Sequence, residues 1–143
     1  MPERHNRGFW LVVGGIGLAS VLLVAAILYN APMTETIGHA EDTLRLAQAA
    51  AQRIHDSDGS FASADAATLA ASDPSHTYRD GTTPSAGLDD ISIATGPASW
   101  GAAVQARPGA CFYLHLTDGG EVFYGVGTVC TGSAAMSATD PRW

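Results

Sequence analysis

The sequence predicts an α+β fold: a long N-terminal transmembrane-plus-amphipathic helix packed on a small antiparallel four-stranded sheet. Three observations predict it. Residues 9–29 read FWLVVGGIGLASVLLVAAILY without one charged side chain. Met33 to Ile54 then place apolar side chains at helical spacing, and the last third of the chain changes to short alternating runs separated by Gly and Pro turns.

The first half of the helix is a membrane span by length and composition. At about 1.5 Å rise per residue, a helical Phe9–Tyr29 is about 30 Å long, the thickness of a bilayer's hydrocarbon core. A cleaved secretory signal is the rival reading, since Arg4 and Arg7 precede the run. Against it, the run exceeds the usual apolar core of about 7–15 residues, and Tyr29-Asn30-Ala31-Pro32 lacks a small-x-small cleavage site. Gly14, Gly15 and Gly17 are tolerated in lipid, and they equally offer a close-contact face for a second helix. The arginines lie before the span, whereas Glu35, Glu41 and Asp42 are the first charges after it, so the positive-inside rule leaves the N-terminus in the cytoplasm. The expected organisation is a cytoplasmic leader at 1–8, a transmembrane helix at 9–29 and an extracytoplasmic domain at 30–143, in a single-pass protein of the cell membrane.

Pro32 removes a backbone donor and kinks the chain before the second half of the helix. From there Met33, Ile37, Ala40, Leu44, Ala47, Ala51 and Ile54 form one apolar seam, with Glu35, His39, Asp42, Arg45, Gln52 and Arg53 on the opposite face. The helix is expected to end at His55-Asp56-Ser57-Asp58-Gly59, with Gly59 left-handed. Residues 9–55 would make a spine about 70 Å long. A short helix is expected at Ala64–Ala71, and Ser72–Gly87, with Pro74 and Pro84, reads as loop.

Four strands follow. Ile91–Thr95 alternates, Trp100–Ala106 follows the turn at Gly96-Pro97, Ala110–Leu116 follows Arg107-Pro108-Gly109, and Glu121–Cys130 returns after Asp118-Gly119-Gly120. Phe112, Leu114 and Leu116 share the face expected to meet the helix, with Tyr113 and His115 on the other. Gly125 and Gly127 mark a bulge or a close backbone approach. Thr131–Trp143 is a tail that can lie on the sheet through Met136 or Trp143.

Cys111 and Cys130 are the only cysteines and stand at the two ends of one hairpin. In an oxidising compartment they form a structural disulfide; the alternative is two buried free thiols. With no third thiol they do not make a zinc site. Fourteen acidic residues oppose seven basic ones, every one an arginine, which excludes nucleic acid as a partner. His5, His39, His55, His76 and His115 fall on five separate segments, Ser99, Ser133 and Ser137 lack a nucleophile-elbow context, and Asp56-Ser57-Asp58-Gly59 is only half of a calcium loop. No catalytic residue, metal site or cofactor is expected.

The order of parts, together with Asp58-Gly59-Ser60-Phe61, Asp73-Pro74-Ser75-His76-Thr77-Tyr78, Ile91-Ser92-Ile93-Ala94, Trp100-Gly101-Ala102-Ala103, Gly109-Ala110-Cys111-Phe112-Tyr113-Leu114 and Tyr124-Gly125, resembles the type IV pilin and pseudopilin superfamily, in the form found in high-GC Gram-positive bacteria. The resemblance implies a candidate prepilin-peptidase junction at Gly8-Phe9. It departs at the fifth position from Phe9, where Val13 stands instead of the glutamate that neutralises a neighbouring subunit's amine in a pilin filament. Two functions are therefore expected. One is a minor pilin or pseudopilin whose partners are membrane lipid and other membrane helices or pilin-type subunits. The other is a single-pass accessory subunit of a larger membrane complex, of respiratory or photosynthetic type.

Overall fold

The computed structural model describes residues 35–143, and Thr36–Trp143 forms one compact unit. The expectations for Gly8, Phe9, Gly14, Gly15, Gly17, Met33 and the 9–29 span lie outside the described residues. Among the described residues no helix is long and apolar enough to cross a membrane.

The first described element is a helix, α1, over residues 35–58. Its apolar seam is used from Ala40 onward, where Ala40, Leu44, Ala47 and Ala51 are fully buried and Asp42, Arg45 and Arg53 face solvent; Ile37, expected in the seam, is instead exposed, because it lies beyond the part of the helix that the sheet covers. The seam is wider than one line of residues, because Thr43 and Ala50 are buried as well. Most of it is alanine, so the helix backbone lies close to what it covers. Gly59 ends the helix at φ 70°, its N–H donating to His55 O at 2.7 Å, a left-handed stop that glycine takes without a Cβ penalty.

A 3-10 turn at Phe61–Ser63 and a helix, α2, at Ala66–Ser72 follow. Ser60 caps the first, and Asp65 caps the second by accepting from Thr68 N at 2.8 Å. The turn is pinned to the sheet by Trp100, fully buried, whose Nε1 donates to Ala64 O at 3.1 Å.

The sheet has five strands in sequence order, β1 (Thr77–Asp80), β2 (Asp90–Thr95), β3 (Ser99–Arg107), β4 (Ala110–Thr117) and β5 (Val122–Gly127). Four of them match the expected antiparallel meander. The fifth corrects the expectation of four strands and of a loop through Ser72–Gly87, because β1 lies at the edge and pairs parallel to β2, making the sheet mixed. Thr77-Tyr78-Arg79-Asp80 has one apolar residue and hence no alternation, so its pairing is a backbone matter that composition does not signal. β5 also ends at Gly127, short of the expected Cys130, because the chain must turn there to reach Cys111.

Each strand alternates between two faces. Ile91, Ile93, Trp100, Ala102, Val104, Phe112, Leu114 and Leu116 join Ala40, Leu44, Ala47 and Ala51 of α1 in the main core. The reverse face carries a second, smaller core of Ala103, Cys111, Tyr113, Cys130, Ala135 and Ala138. It is covered by the segment after β5, which includes a one-turn helix, α3, at Gly132–Ala135. Both faces of the sheet are thus buried within one chain, and the tail expected only to rest on the sheet builds a core of its own.

Candidate functional site

The reverse face is where the predicted cysteines meet. Cys111 and Cys130 form a disulfide with Cα atoms 5.1 Å apart, and both are almost wholly buried. The free-thiol alternative is thereby set aside. Small residues let the following segment reach the sheet backbone. A Cβ on Gly132 would lie 2.3 Å from Ala94 N, and one on Gly101 would lie 2.8 Å from Gly132 O. Gly132 N donates to Ser92 Oγ at 2.9 Å and Ser133 N to Gly81 O at 3.0 Å. Gly127 explains its own presence: an added Cβ would sit 2.3 Å from the Tyr113 hydroxyl, which donates to Val129 O at 2.8 Å. Burial raises the Tyr113 phenol above its ordinary range.

From Ala138 the chain rounds the free edge of β5. Tyr124 and Asp140 exchange both backbone hydrogen bonds, at 2.7 and 3.2 Å. Trp143 then reaches the helix side of the sheet and packs on Phe112 and Tyr124, with ring centroids 5.2 and 4.8 Å away. The aromatic side chains of the strands are divided between the two faces: Trp100, Phe112 and Tyr124 serve the main core, Tyr113 and Phe123 the reverse one.

The histidines sit on separate segments as expected, yet three of the four described ones touch a carboxylate. His39 Nε2 lies 3.2 Å from Asp89 Oδ1, and His55 Nε2 lies 2.5 Å from Asp118 Oδ1. These two contacts tie α1 to the sheet at its two ends, one at the start of β2 and the other at the β4–β5 turn. The His55 ring also stacks on Phe61 at 4.3 Å. His115, the strand histidine, meets a backbone carbonyl, Ala138 O at 3.2 Å, and leans on Phe123.

Sequence reasoning missed the role of Asp73. Its carboxylate accepts from Ser75 N at 3.1 Å, from the Ser75 hydroxyl, and from Tyr78 OH at 2.9 Å, and lies 2.7 Å from His76 Nδ1. Hydrogen bonds led by that from Ser75 hold Asp73 far below the usual carboxylate range, while burial and Asp73 raise the Tyr78 phenol. The Asp-Pro-Ser order was the available signal, since aspartate two residues before a backbone N–H favours an Asx turn. Serine, histidine and aspartate here do not form a nucleophilic relay. Ser75 Oγ and Asp73 both meet Nδ1 of His76, whereas a relay needs the hydroxyl on one ring nitrogen and the carboxylate on the other. What the cluster does is fix the turn from α2 into β1.

A second aspartate performs the same service at the other end of β1. Asp80 accepts from Thr82 Oγ1 and N at 2.5 and 3.0 Å and from Thr83 Oγ1 at 2.8 Å, which lowers its pKa to about 2. Arg79 closes the strand on β2 through Nε, 2.6 Å from Asp90 Oδ1.

Among the described residues no group of three His, Cys, Asp or Glu side chains is placed to hold a metal ion. The geometry that the domain does present is architectural: a helix clamped to one face, a disulfide-closed segment sealing the other, and exposed apolar side chains at Ile37, Leu46, Val126 and Val129. No protein family, curated protein or solved structure matches the chain.

Proposed function

We propose that the chain is a non-enzymatic, membrane-anchored, pilin-like protein, a minor pilin or pseudopilin, whose apolar helix and exported domain make contacts in an extracytoplasmic assembly. One observation carries this reading. An amphipathic helix, described from residue 35 and thus within six residues of an uncharged 9–29 stretch, lays its seam on a largely antiparallel sheet closed by a late disulfide. The disulfide agrees with an oxidising compartment, and the burial of both sheet faces agrees with a domain that works as a rigid body. Sequencing the N-terminus of the native protein tests it. A start at Phe9, particularly a methylated one, supports processing at Gly8-Phe9; a start at Met1 or Pro2 removes the filament version.

A second reading is favoured by Val13. A helix lacking the fifth-position glutamate has no means of neutralising a neighbour's amine within an apolar filament, where an unpaired charge is very costly. The same architecture then serves a single-pass accessory subunit of a larger membrane complex, with the domain as a docking piece. Co-purification in mild detergent at a fixed stoichiometry supports that reading, and isolation without partners in low detergent opposes it.

A further inference from the structure

We infer that one end of the exported domain rests on the lipid surface, with Val126, Val129 and Ile37 as its apolar contacts. The inference builds on the membrane-anchored reading above and adds an orientation to it. The strand register defines the end. His39 of α1 meets Asp89 beside the start of β2, Ile91 is level with Val104, Val104 with Phe112, and Phe112 with Val126. The other end of α1 meets Asp118 in the β4–β5 turn. The sheet end at Asp90, Arg107, Ala110 and Gly127 is therefore the end at which α1 starts.

Exposed apolar side chains gather there. Four large ones are exposed among the described residues, and three belong to this end: Val126 at 70%, Val129 at 58% and Ile37 at 42%. Val126 is the last residue but one of β5, Val129 lies between β5 and the disulfide, and Ile37 is two residues from His39. Only Leu46 lies elsewhere, in mid-helix, and a single exposed leucine needs no explanation.

The occupant follows from the chain outside the described residues. Tyr29, the last residue of the apolar 9–29 stretch, is separated from Glu35 by five residues, a tether that cannot exceed roughly 20 Å even when fully extended. If 9–29 spans the bilayer, this end of the domain is held that close to the hydrocarbon boundary, and the headgroup layer occupies about 5–8 Å of the distance. Apolar side chains so held have a lipid surface as their nearest apolar phase. At this end Asp89 meets His39 and Asp90 meets Arg79, while Glu35, Arg107 and Arg142 are exposed. With a net charge of −7 the chain favours a zwitterionic surface over an anionic one.

The test places nitroxide labels on the full chain in phosphatidylcholine vesicles, at Val126→Cys, Val129→Cys, Glu121→Cys and Leu22→Cys in separate preparations. The native disulfide is buried and stays unlabelled. Oxygen and a water-soluble nickel chelate then report depth. Expected are hydrocarbon depth at 22, interfacial depth at 126 and 129 with collisions with the chelate reduced several-fold, and full water exposure at 121. Water exposure at 126 and 129 with 22 at depth overturns the inference and leaves the anchor intact; water exposure at 22 overturns the anchored reading and the inference together. Dipolar broadening between copies at 126 or 129 without an oxygen gradient assigns the patch to self-association and also overturns it.

Discussion

Substituting Gly132 with alanine tests whether the segment after β5 is part of the fold or merely lies on it. The new Cβ would meet Ala94 N at 2.3 Å, Ile93 C at 2.5 Å and Ile93 Cα at 2.7 Å, all backbone atoms of a central strand that cannot swing aside. To reach ordinary contact α3 must back away by about 1 Å. That movement disturbs two hydrogen bonds, Gly132 N to Ser92 Oγ and Ser133 N to Gly81 O, each worth about 1 kcal/mol net. It also unpacks Ala135, now fully buried, with an overpacking cost of about 1–3 kcal/mol. The expected loss is about 3–5 kcal/mol. Guanidinium unfolding of the detergent-solubilised chain, followed by tryptophan fluorescence, reads it as a lower midpoint with the disulfide intact. Gly38→Ala is the control: a Cβ there meets nothing within 4 Å in a helix, so it should stabilise by about 0.4–1 kcal/mol. A loss below about 1 kcal/mol for Gly132→Ala would refute the reasoning, since it would mean that the contact with β2 yields freely.

Leu44→Ala should cost about 2–5 kcal/mol, because the side chain is fully buried between helix and sheet, while Leu46→Ala, at 57% exposure, should stay within about 0.5 kcal/mol of wild type in the same unfolding assay. Replacing Cys111 and Cys130 together by alanine should remove about 3 kcal/mol, the value for a loop of this size in the chain-entropy model; thiol labelling of the reduced wild type should require denaturant, since both sulfurs are buried. Stability should also fall in acid. Asp73 and Asp80 titrate lower folded than unfolded, so their contribution is complete above the ordinary carboxylate pKa of about 3.9 and is lost as pH drops through the folded values, about 2 for Asp80. Unfolding midpoints should therefore decline between about pH 4 and pH 2, and an Asp73→Asn, Asp80→Asn variant should start lower at neutral pH and decline less.

Periodicity carried the elements that bury something. The seam from Ala40 to Ala51, the four alternating runs, the left-handed Gly59 and the cysteine pair were legible because each is a pattern of apolar or special residues with one physical cause. What escaped was held by polar backbone contacts. β1 has no apolar face, and its position depends on Asp73 at one end, Asp80 at the other and Arg79 on Asp90, none of which a hydrophobic template can register. The reverse-face core escaped for a different reason. Its sheet side is built from Ser92, Ala94, Gly101 and Ala103, and small residues read as weak strand rather than as space for a covering segment. Gly125, Gly127 and Met136 were the visible traces, and the partner of Gly127, the Tyr113 hydroxyl, is a contact across strands that needs the register to be known. The histidine contacts at both ends of α1 join residues far apart in sequence, so spacing alone had no means of finding them.

The two buried faces also constrain any assembly. A domain with one open sheet face could add a partner there, but here α1 covers one face and the disulfide-closed segment the other, and Tyr124 and Asp140 occupy part of the β5 edge. Apart from the apolar end at Ile37, Val126 and Val129, what is left among the described residues for a protein partner is the outer side of α1, where Asp42, Arg45, Leu46, Ala49 and Arg53 are exposed, together with the short β1 edge. A mixed-charge helix stripe with one leucine gives little affinity by itself, since exposed ion pairs contribute about 0–1 kcal/mol each. On the membrane-anchored reading proposed above, strong association would draw on the 9–29 stretch, where the sequence places Gly14, Gly15 and Gly17. Replacing all three glycines with leucine should then abolish co-purification with a membrane partner, while Leu46→Ala should weaken it at most a few-fold. The reverse ranking would locate recognition on the domain of residues 36–143 and detach it from the 9–29 stretch.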